Sequence, residues 1–130
     1  MILVVEDSVD DSFLLTRQLA RANLENQIRV IGDGQDALDF LLDCLDVPQA
    51  VFLDLNLPTL NGLEVLRRLR QEVRYRIVPV IVMTGSLNPR DVDECTKLGV
   101  SAYLPKPVGI ATFARILGPL LPAQAQALLS

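Results

Sequence analysis

The sequence predicts an α/β fold in which five helices flank a doubly wound, five-stranded parallel sheet. Short apolar runs alternate with amphipathic helical segments five times, most of the runs stop abruptly at polar or turn residues, and no Ser/Gly-rich or charged linker divides the chain. Connections between such parallel strands are expected to be right-handed. At 130 residues, half of them hydrophobic, the chain is long enough for one domain with a substantial core. We expect this domain to span residues 1–122, followed by a short helical tail at residues 123–130.

Each element has a local signal in the sequence. The expected strands lie at residues 1–5, 27–31, 50–54, 79–83 and 101–105, and the expected helices at residues 9–22, 35–45, 62–72, 89–98 and 110–120. Ser8 is an N-cap for the first helix, with Asp11 in the capping position three residues later. Asn88 and Pro89 open the fourth helix, and Gly99 ends it as a left-handed C-cap residue. The second strand interleaves polar residues, which is typical of a strand near a sheet edge.

Composition excludes several functional classes. The chain carries 16 acidic and 12 basic residues, a net charge of −4, and therefore lacks the positive excess of a nucleic-acid-binding surface. No apolar run is long enough to span a membrane, and no signal peptide is visible. There is no histidine, which excludes a Cys/His metal site and most triad hydrolases, and the two cysteines fit a reducing compartment. We expect a cytoplasmic protein that binds neither nucleic acid nor membrane.

Polar side chains follow four of the predicted strands. Glu6 and Asp7 follow the first, Asp54 ends the third, Thr84 follows the fourth and Lys106 follows the fifth. Taken singly, each has an ordinary structural interpretation: a turn or helix-capping residue for the acids and Thr84, and a surface lysine for Lys106. Together they indicate a site, because the carboxyl ends of parallel strands meet at one crevice of a doubly wound sheet.

The residue types at this crevice indicate phosphoryl chemistry. Three carboxylates in one place repel each other, and a hard divalent cation with oxygen ligands, Mg²⁺, would compensate them. We expect Asp7 and Asp54 to bind it directly, Glu6 directly or through water, and a backbone carbonyl just past Asp54 to contribute as well. Asp54 would keep one oxygen as a nucleophile toward phosphorus. Lys106 and the Thr84 hydroxyl would stabilise charge on the transferred phosphoryl oxygens.

Over essentially its whole length the chain resembles a receiver domain, the response-regulator half of two-component signalling. The motifs that carry the resemblance are Val5-Glu6-Asp7, Asp33-Gly34-Gln35-Asp36-Ala37-Leu38, Asp54-Leu55-Asn56-Leu57-Pro58 with Asn61-Gly62, Thr84-Gly85, and Tyr103-Leu104-Pro105-Lys106-Pro107. The resemblance implies a flavodoxin-like sheet with strand order 2-1-3-4-5. It also implies a signalling domain rather than an enzyme, with a sensor histidine kinase as its partner.

The resemblance assigns a role to each motif residue. Asp54 is the phosphoacceptor, Glu6 and Asp7 bind Mg²⁺ with Asp54, and the Asn56 carbonyl completes the metal site. Thr84 is the switch hydroxyl, Lys106 pairs with the phosphoryl group, and Tyr103 is the switch aromatic whose rotamer follows Thr84. The peptide bond between Lys106 and Pro107 is expected to be cis.

Phosphorylation is expected to change the surface built by the fourth helix, fifth strand and fifth helix, for partner binding or for homodimerisation. Apolar residues of the fifth helix make a dimer conceivable, although most of them should belong to the core: Ile110, Phe113, Ile116 and Leu117. The Asp-Leu-Asn-Leu-Pro motif and a chain that ends soon after this helix are similar to single-domain regulators paired with phytochrome-type kinases. Asn61, where Asp often precedes the glycine, and Gly85, where Ala is frequent, depart from the usual pattern without touching the chemistry.

Of three alternatives, the one within the family remains open, and the residues disfavour the two outside it. The first lies within the family: the chain could be a receiver from a larger hybrid kinase or multidomain regulator. The second is a phosphatase of the haloacid-dehalogenase type, which would need an acid two residues after its nucleophile, where this chain has Asn56. The third is a flavodoxin-like FMN module, whose phosphate Glu6 and Asp7 would repel.

Overall fold

Five parallel strands form one sheet in the order β2-β1-β3-β4-β5, which confirms the predicted doubly wound, flavodoxin-like topology. The computed structural model describes residues 1–21, 27–85, 88–106, 115 and 119. Its elements are β1 (Ile2–Val5), α1 (Val9–Arg21), β2 (Ile28–Ile31), α2 (Gly34–Asp43), β3 (Ala50–Asp54), α3 (Gly62–Gln71), a 3₁₀ turn (Val73–Tyr75), β4 (Val80–Thr84), α4 (Pro89–Lys97) and β5 (Ala102–Pro105). The predicted boundaries of the strands and of the first four helices agree with the observed ones to within two residues wherever both boundaries fall among the described residues.

The core divides into two layers because successive residues of a strand point to opposite faces of the sheet. On one face Phe52 of β3 packs in a cluster with Leu15 and Leu19 of α1. On the other face Leu53 lies in a larger cluster that includes buried residues of α2, α3 and α4. Strands β1, β3 and β4 are buried throughout, whereas β2 lies at an edge of the sheet and is partly exposed, as its interleaved polar residues predicted.

The predicted caps at Ser8, Asn88 and Gly99 are confirmed, but the capping role of Asp11 is not: among the described hydrogen bonds, the Ser8 amide donates to Glu6 Oε2 at 3.3 Å instead. The Ser8 hydroxyl accepts a hydrogen bond from the Asp11 amide at 3.2 Å. The Asn88 side chain accepts from the Arg90 amide at 3.0 Å, and Pro89 is the first residue of α4. Gly99 follows α4 with a φ of 71°, the left-handed conformation that glycine adopts without a steric penalty.

Two features of the segment after α3 differ from the sequence-based expectation. The arginine run of the third helix, Arg67, Arg68 and Arg70, predicts a solvated helix face. The Arg70 guanidinium instead donates hydrogen bonds to the carbonyls of residues 75, 78, 98 and 99. The 3₁₀ turn was not predicted, and its Tyr75 is among the largest fully buried side chains. Both follow from long-range packing: Arg70 ties this segment to the end of α4.

Some predictions lie outside the described residues. Apart from residues 115 and 119, these include the fifth helix, its apolar residues, the tail at 123–130 and the peptide bond to Pro107. Within the part of the chain that the structure describes, no helix has both the length and the apolar character needed to cross a membrane.

Candidate functional site

Three carboxylates converge at the carboxyl end of the sheet. Glu6 directly follows β1, where its amide donates to the Ile31 carbonyl at 3.1 Å, and Asp54 is the last residue of the adjacent strand β3. Glu6 and Asp54 are buried, whereas Asp7 is exposed. One oxygen from each of Glu6, Asp7 and Asp54 lies within 4.8 Å of the others. The adjacent strands β1 and β3 thus bring the three acidic residues together at the carboxyl end of the sheet, as predicted from the sequence.

Lys106 reaches this cluster from the end of β5. Its amide donates to the Thr84 carbonyl at 2.9 Å, which fixes the start of the side chain beside β4. Its ammonium donates to Asp54 Oδ2 at 3.0 Å, to Asp11 Oδ2 at 2.9 Å and to Glu6 Oε1. The Lys106 side chain is only 19% exposed, so these ion pairs are shielded from solvent far more than surface pairs are. Lys106 is therefore part of the site and not a surface lysine.

The charges in the site perturb one another. Burial raises the pKa of Glu6 to about 7, hydrogen bonding with Asp54 adds to this, and Lys106 acts in the opposite direction. Burial by itself would lower the pKa of Lys106, but its hydrogen bonds with Glu6, Asp11 and Asp54 outweigh burial and raise that pKa above its ordinary value. Lys106 therefore remains a cation, and the carboxylates around it outnumber it.

The phosphoacceptor candidate is held by its own loop. Asp54 Oδ1 accepts a hydrogen bond from the Asn56 amide at 3.1 Å. The first residue of α3, Gly62, packs directly against this backbone: a Cβ at Gly62 would lie 2.1 Å from the Asp54 carbonyl oxygen. Only glycine permits so close an approach. Asp54 is thus oriented from both sides, by the start of the loop and by the start of the next helix.

A strained residue anchors the same loop further along. Thr59 has a φ of 65°, which is rare for a β-branched residue. Its hydroxyl donates to Asp33 Oδ1 at 2.9 Å and accepts from the Gln35 amide at 3.2 Å, so that the loop is fastened to the start of α2. Asp33 also caps α2, and the hydrogen bond from the Asp36 amide lowers the pKa of Asp33.

The two predicted switch residues lie on neighbouring strands. Thr84 is fully buried at the end of β4, one position beyond Met83, which pairs with Asp54 across the sheet. Tyr103 is half-buried in β5, paired with Val82. Burial raises the pKa of Tyr103. Their positions fit the expected switch, and their movements remain a prediction.

The structure brings Glu6, Asp7, Asp54 and Lys106 together, and it places the Asn56 amide on Asp54. The role of the Asn56 carbonyl as a metal ligand remains a prediction. Sequence reasoning missed one contact of the site. Asp11 was interpreted only as a capping residue in the first turn of α1, whereas its carboxylate binds Lys106. The signal available was its place in the first turn of α1, because the helix that follows β1 begins at the same end of the sheet as Glu6 and Asp7.

The acidic cluster fits a hard divalent cation. Three carboxylates with convergent oxygens are the donor set that such cations prefer. The raised pKa of Glu6 reflects burial together with the negative charge of Asp54, and a cation would relieve the repulsion. The residues present therefore match the metal site that the sequence predicted, without identifying the ion.

Comparison with known proteins agrees with this geometry. The profile of the response regulator receiver domain family matches residues 2–117. The probable methanogenesis regulatory protein FilR2 of Methanothrix harundinacea is 34% identical over 119 residues, which cover 88% of this chain and 77% of FilR2. Response regulator Rcp1 of Synechocystis sp. is 36% identical over 111 residues, which cover 82% of this chain and 76% of Rcp1.

Solved structures show the same relationship. The bacteriophytochrome response regulator RtBRR has a TM-score of 0.79 at 35% identity, covering 98% of this chain and 87% of its own. The Mn(2+)-bound form of Rcp1 has a TM-score of 0.74 at 32% identity, covering 90% of this chain and 88% of its own. The family match, the sheet order and the strand-end site agree with one another. The chain belongs to the response regulator receiver domain family, the phosphorelay signalling domain of two-component systems.

Proposed function

We propose that this receiver accepts a phosphoryl group on Asp54 from a sensor histidine kinase, in a Mg²⁺-dependent reaction. The observation that carries the proposal is the convergence of one cation, Lys106, with three carboxylates at the carboxyl end of the sheet. Asp54 is the central member, because it lies on the middle strand β3 and has neighbours on both sides.

The transfer would use the Asp54 carboxylate as the nucleophile. Its two oxygens are both held in place, Oδ1 by the Asn56 amide and Oδ2 by Lys106, and a carboxylate offers about four lone-pair sites in all. One oxygen forms a bond to phosphorus while the P–N bond of the kinase's phosphohistidine breaks, and the leaving imidazole nitrogen takes a proton from solvent. Lys106, already beside Asp54, donates to the phosphoryl oxygens as negative charge accumulates there.

The metal would be held by Glu6, Asp7 and Asp54, with the Asn56 carbonyl as a further ligand. When bound, Mg²⁺ would neutralise charge on the carboxylates and on the phosphoryl group. Support comes from the convergent oxygens in this chain and from the related Rcp1, whose solved structure is described as Mn(2+)-bound.

The signal would leave through the surface formed by α4, β5 and the predicted fifth helix. A phosphoryl group on Asp54 would draw Thr84 and Lys106 toward it, and Tyr103 would turn further inward. Two observations support this route: Thr84 and Tyr103 lie on the adjacent strands β4 and β5, and the Tyr103 side chain is half-buried. We propose that the surface then binds a partner or a second copy of the chain. We further propose that residues 1–122 form the receiver domain, that residues 123–130 form a short tail, and that the protein acts in the cytoplasm.

Intact-mass measurement tests the central claim. The protein and an Asp54→Asn variant would be incubated with acetyl phosphate, with Mg²⁺ or with EDTA. We expect one phosphoryl group on the wild type only when Mg²⁺ is present, and none on the variant. Failure of the wild type to take up phosphate under any of these conditions would refute the proposal.

A further inference from the structure

Lys106 is surrounded by one acceptor more than the predicted site requires. A lysine ammonium has three N–H donors and no acceptor. In this structure the three donors are directed to Glu6, Asp11 and Asp54, one carboxylate each. Asp11 comes from α1, outside the predicted metal and phosphoryl ligands, and its carboxylate is 40% exposed.

This arrangement restricts the direction of the ammonium. Lysine has a long, flexible side chain whose ordering costs conformational entropy, so a single ion pair would leave its N–H groups free to rotate. Glu6 and Asp11 occupy two of the three N–H donors, and the third points at Asp54 Oδ2. Asp54 is the residue at which the phosphoryl group would arrive. Such prior orientation is how fixed donors stabilise a developing charge without reorganising during the reaction.

We propose that Asp11 is a positioning residue for phosphoryl transfer: it holds Lys106 with one N–H aimed at Asp54. The inference rests on the proposed function of Asp54 as phosphoacceptor. Asp11 does not touch the reacting atoms; it acts through Lys106. The same carboxylate also adds negative charge near the site, which would by itself oppose an incoming phosphoryl group. Orientation and repulsion predict opposite effects of removing Asp11, and this difference makes the inference testable.

The chain supplies a matched control in Asp10. Asp10 and Asp11 both lie in the first turn of α1, where each carboxylate interacts favourably with the helix dipole. Asp10→Ala and Asp11→Ala therefore make the same change in net charge and remove the same kind of helix-terminal interaction. Only the second removes a contact to Lys106. Asp11→Asn completes the set, because the amide oxygen can still accept a hydrogen bond while the negative charge is lost.

The first readout is the exchange of lysine ammonium protons with water, followed by proton–nitrogen NMR of the unphosphorylated protein. The chain has two lysines, and Lys97 is a built-in reference because its side chain is 73% exposed and pairs only with the nearby Asp93 at 3.2 Å among the described ion pairs. We expect Asp11→Ala to speed exchange at Lys106 by about fivefold, the effect of losing one hydrogen bond of typical strength. Exchange at Lys97 should stay the same, as should exchange at Lys106 in Asp10→Ala.

The second readout is the rate of phosphoryl uptake from acetyl phosphate at saturating Mg²⁺. We expect Asp11→Ala to slow uptake by about five- to tenfold, the effect of one misdirected donor. Asp10→Ala should match the wild type, and Asp11→Asn should recover most of the rate. That rescue separates positioning from a general effect on folding.

Three results would overturn the inference. Equal uptake by Asp11→Ala and Asp10→Ala would show that the contact has no role in transfer. Faster uptake by both Asp11 variants would show that repulsion dominates. Unchanged exchange at Lys106 in Asp11→Ala would show that Asp11 does not hold the ammonium. If the wild type takes up no phosphate, the proposed function fails, and the NMR comparison still decides whether Asp11 orients Lys106.

Discussion

Gly62→Ala is expected to damage both the fold and the phosphoacceptor, because Gly62 packs against the backbone of Asp54. An added Cβ would lie 2.1 Å from the Asp54 carbonyl oxygen and 2.7 Å from Leu55 Cα. Real Cβ contacts are essentially never shorter than 3.0 Å, so backbone must move, by about 0.9 Å at the carbonyl oxygen. Both atoms are backbone atoms of the segment that carries Asp54, so the clash cannot be relieved by the movement of a flexible side chain.

The magnitude follows from two opposing effects. Alanine in place of glycine favours a helix by up to about 1 kcal/mol. Forcing a methyl group into a fully packed site typically costs about 1–3 kcal/mol, and backbone displacement places this case at the upper end or beyond. We expect a net loss of about 2 kcal/mol in the free energy of unfolding, which lowers the Tm of a chain of this size by about 7 °C. Misplacing Asp54 by nearly 1 Å should also slow phosphoryl uptake by up to about 100-fold.

Chemical denaturation gives the stability, and timed intact-mass spectra with acetyl phosphate and Mg²⁺ give the uptake rate at a temperature where the variant is folded. Gly85→Ala is the control for stability. A Cβ there meets no atom of the described residues within 4 Å, and alanine restricts the unfolded chain, so stability should be unchanged or rise by up to about 1 kcal/mol. A Gly62→Ala protein with the stability and uptake rate of the wild type would refute the reasoning.

Three further predictions concern stability. Arg70→Ala should lower the free energy of unfolding by about 3 kcal/mol, because four carbonyls lose a charged donor. The control is Arg68→Ala in the same helix, where the side chain is exposed and the change should be less than about 0.5 kcal/mol. Equal losses for the two variants in urea unfolding would contradict this prediction. Burial raises the pKa of Cys95 from 9.0 to about 11. The protonated thiol therefore contributes at most about 3 kcal/mol to the free energy of unfolding, and this contribution is complete below pH 9 and is lost as the pH rises through 11. Cys95→Ala should therefore flatten the alkaline limb of a stability–pH profile, and an unchanged limb would exclude Cys95 as its source. Thr59→Asn should raise stability by about 1 kcal/mol, since asparagine tolerates positive φ and retains a side-chain hydrogen-bonding group, and a lower Tm would count against strain at this residue.

Much of the fold and of the candidate site was predictable because their signals are local. Buried strands appear as apolar runs and helices as periodic segments between caps, and in the sequence itself Glu6 directly follows β1 and Asp54 ends β3. Parallel topology then brings those ends together whatever the details of packing. The convergence of the carboxylates and Lys106 required only the order of the elements and their polarity.

Long-range partners could not be predicted in this way. Asp11 and Lys106 are 95 residues apart, and only the tertiary structure, in which the start of α1 and the end of β5 lie at the same end of the sheet, decides that their side chains meet. The same holds for Arg70, which looked like a member of a solvated arginine run until the loop after it and the end of α4 folded against its guanidinium. Gly62 was recognised in the sequence as the first residue of the third helix, but its contact with the Asp54 backbone was not predicted. The sequence by itself determined which chemistry gathers at the end of the sheet, because strand ends are encoded residue by residue. Tertiary structure decided how that chemistry is held, because hydrogen-bond distances between remote segments depend on how whole elements pack.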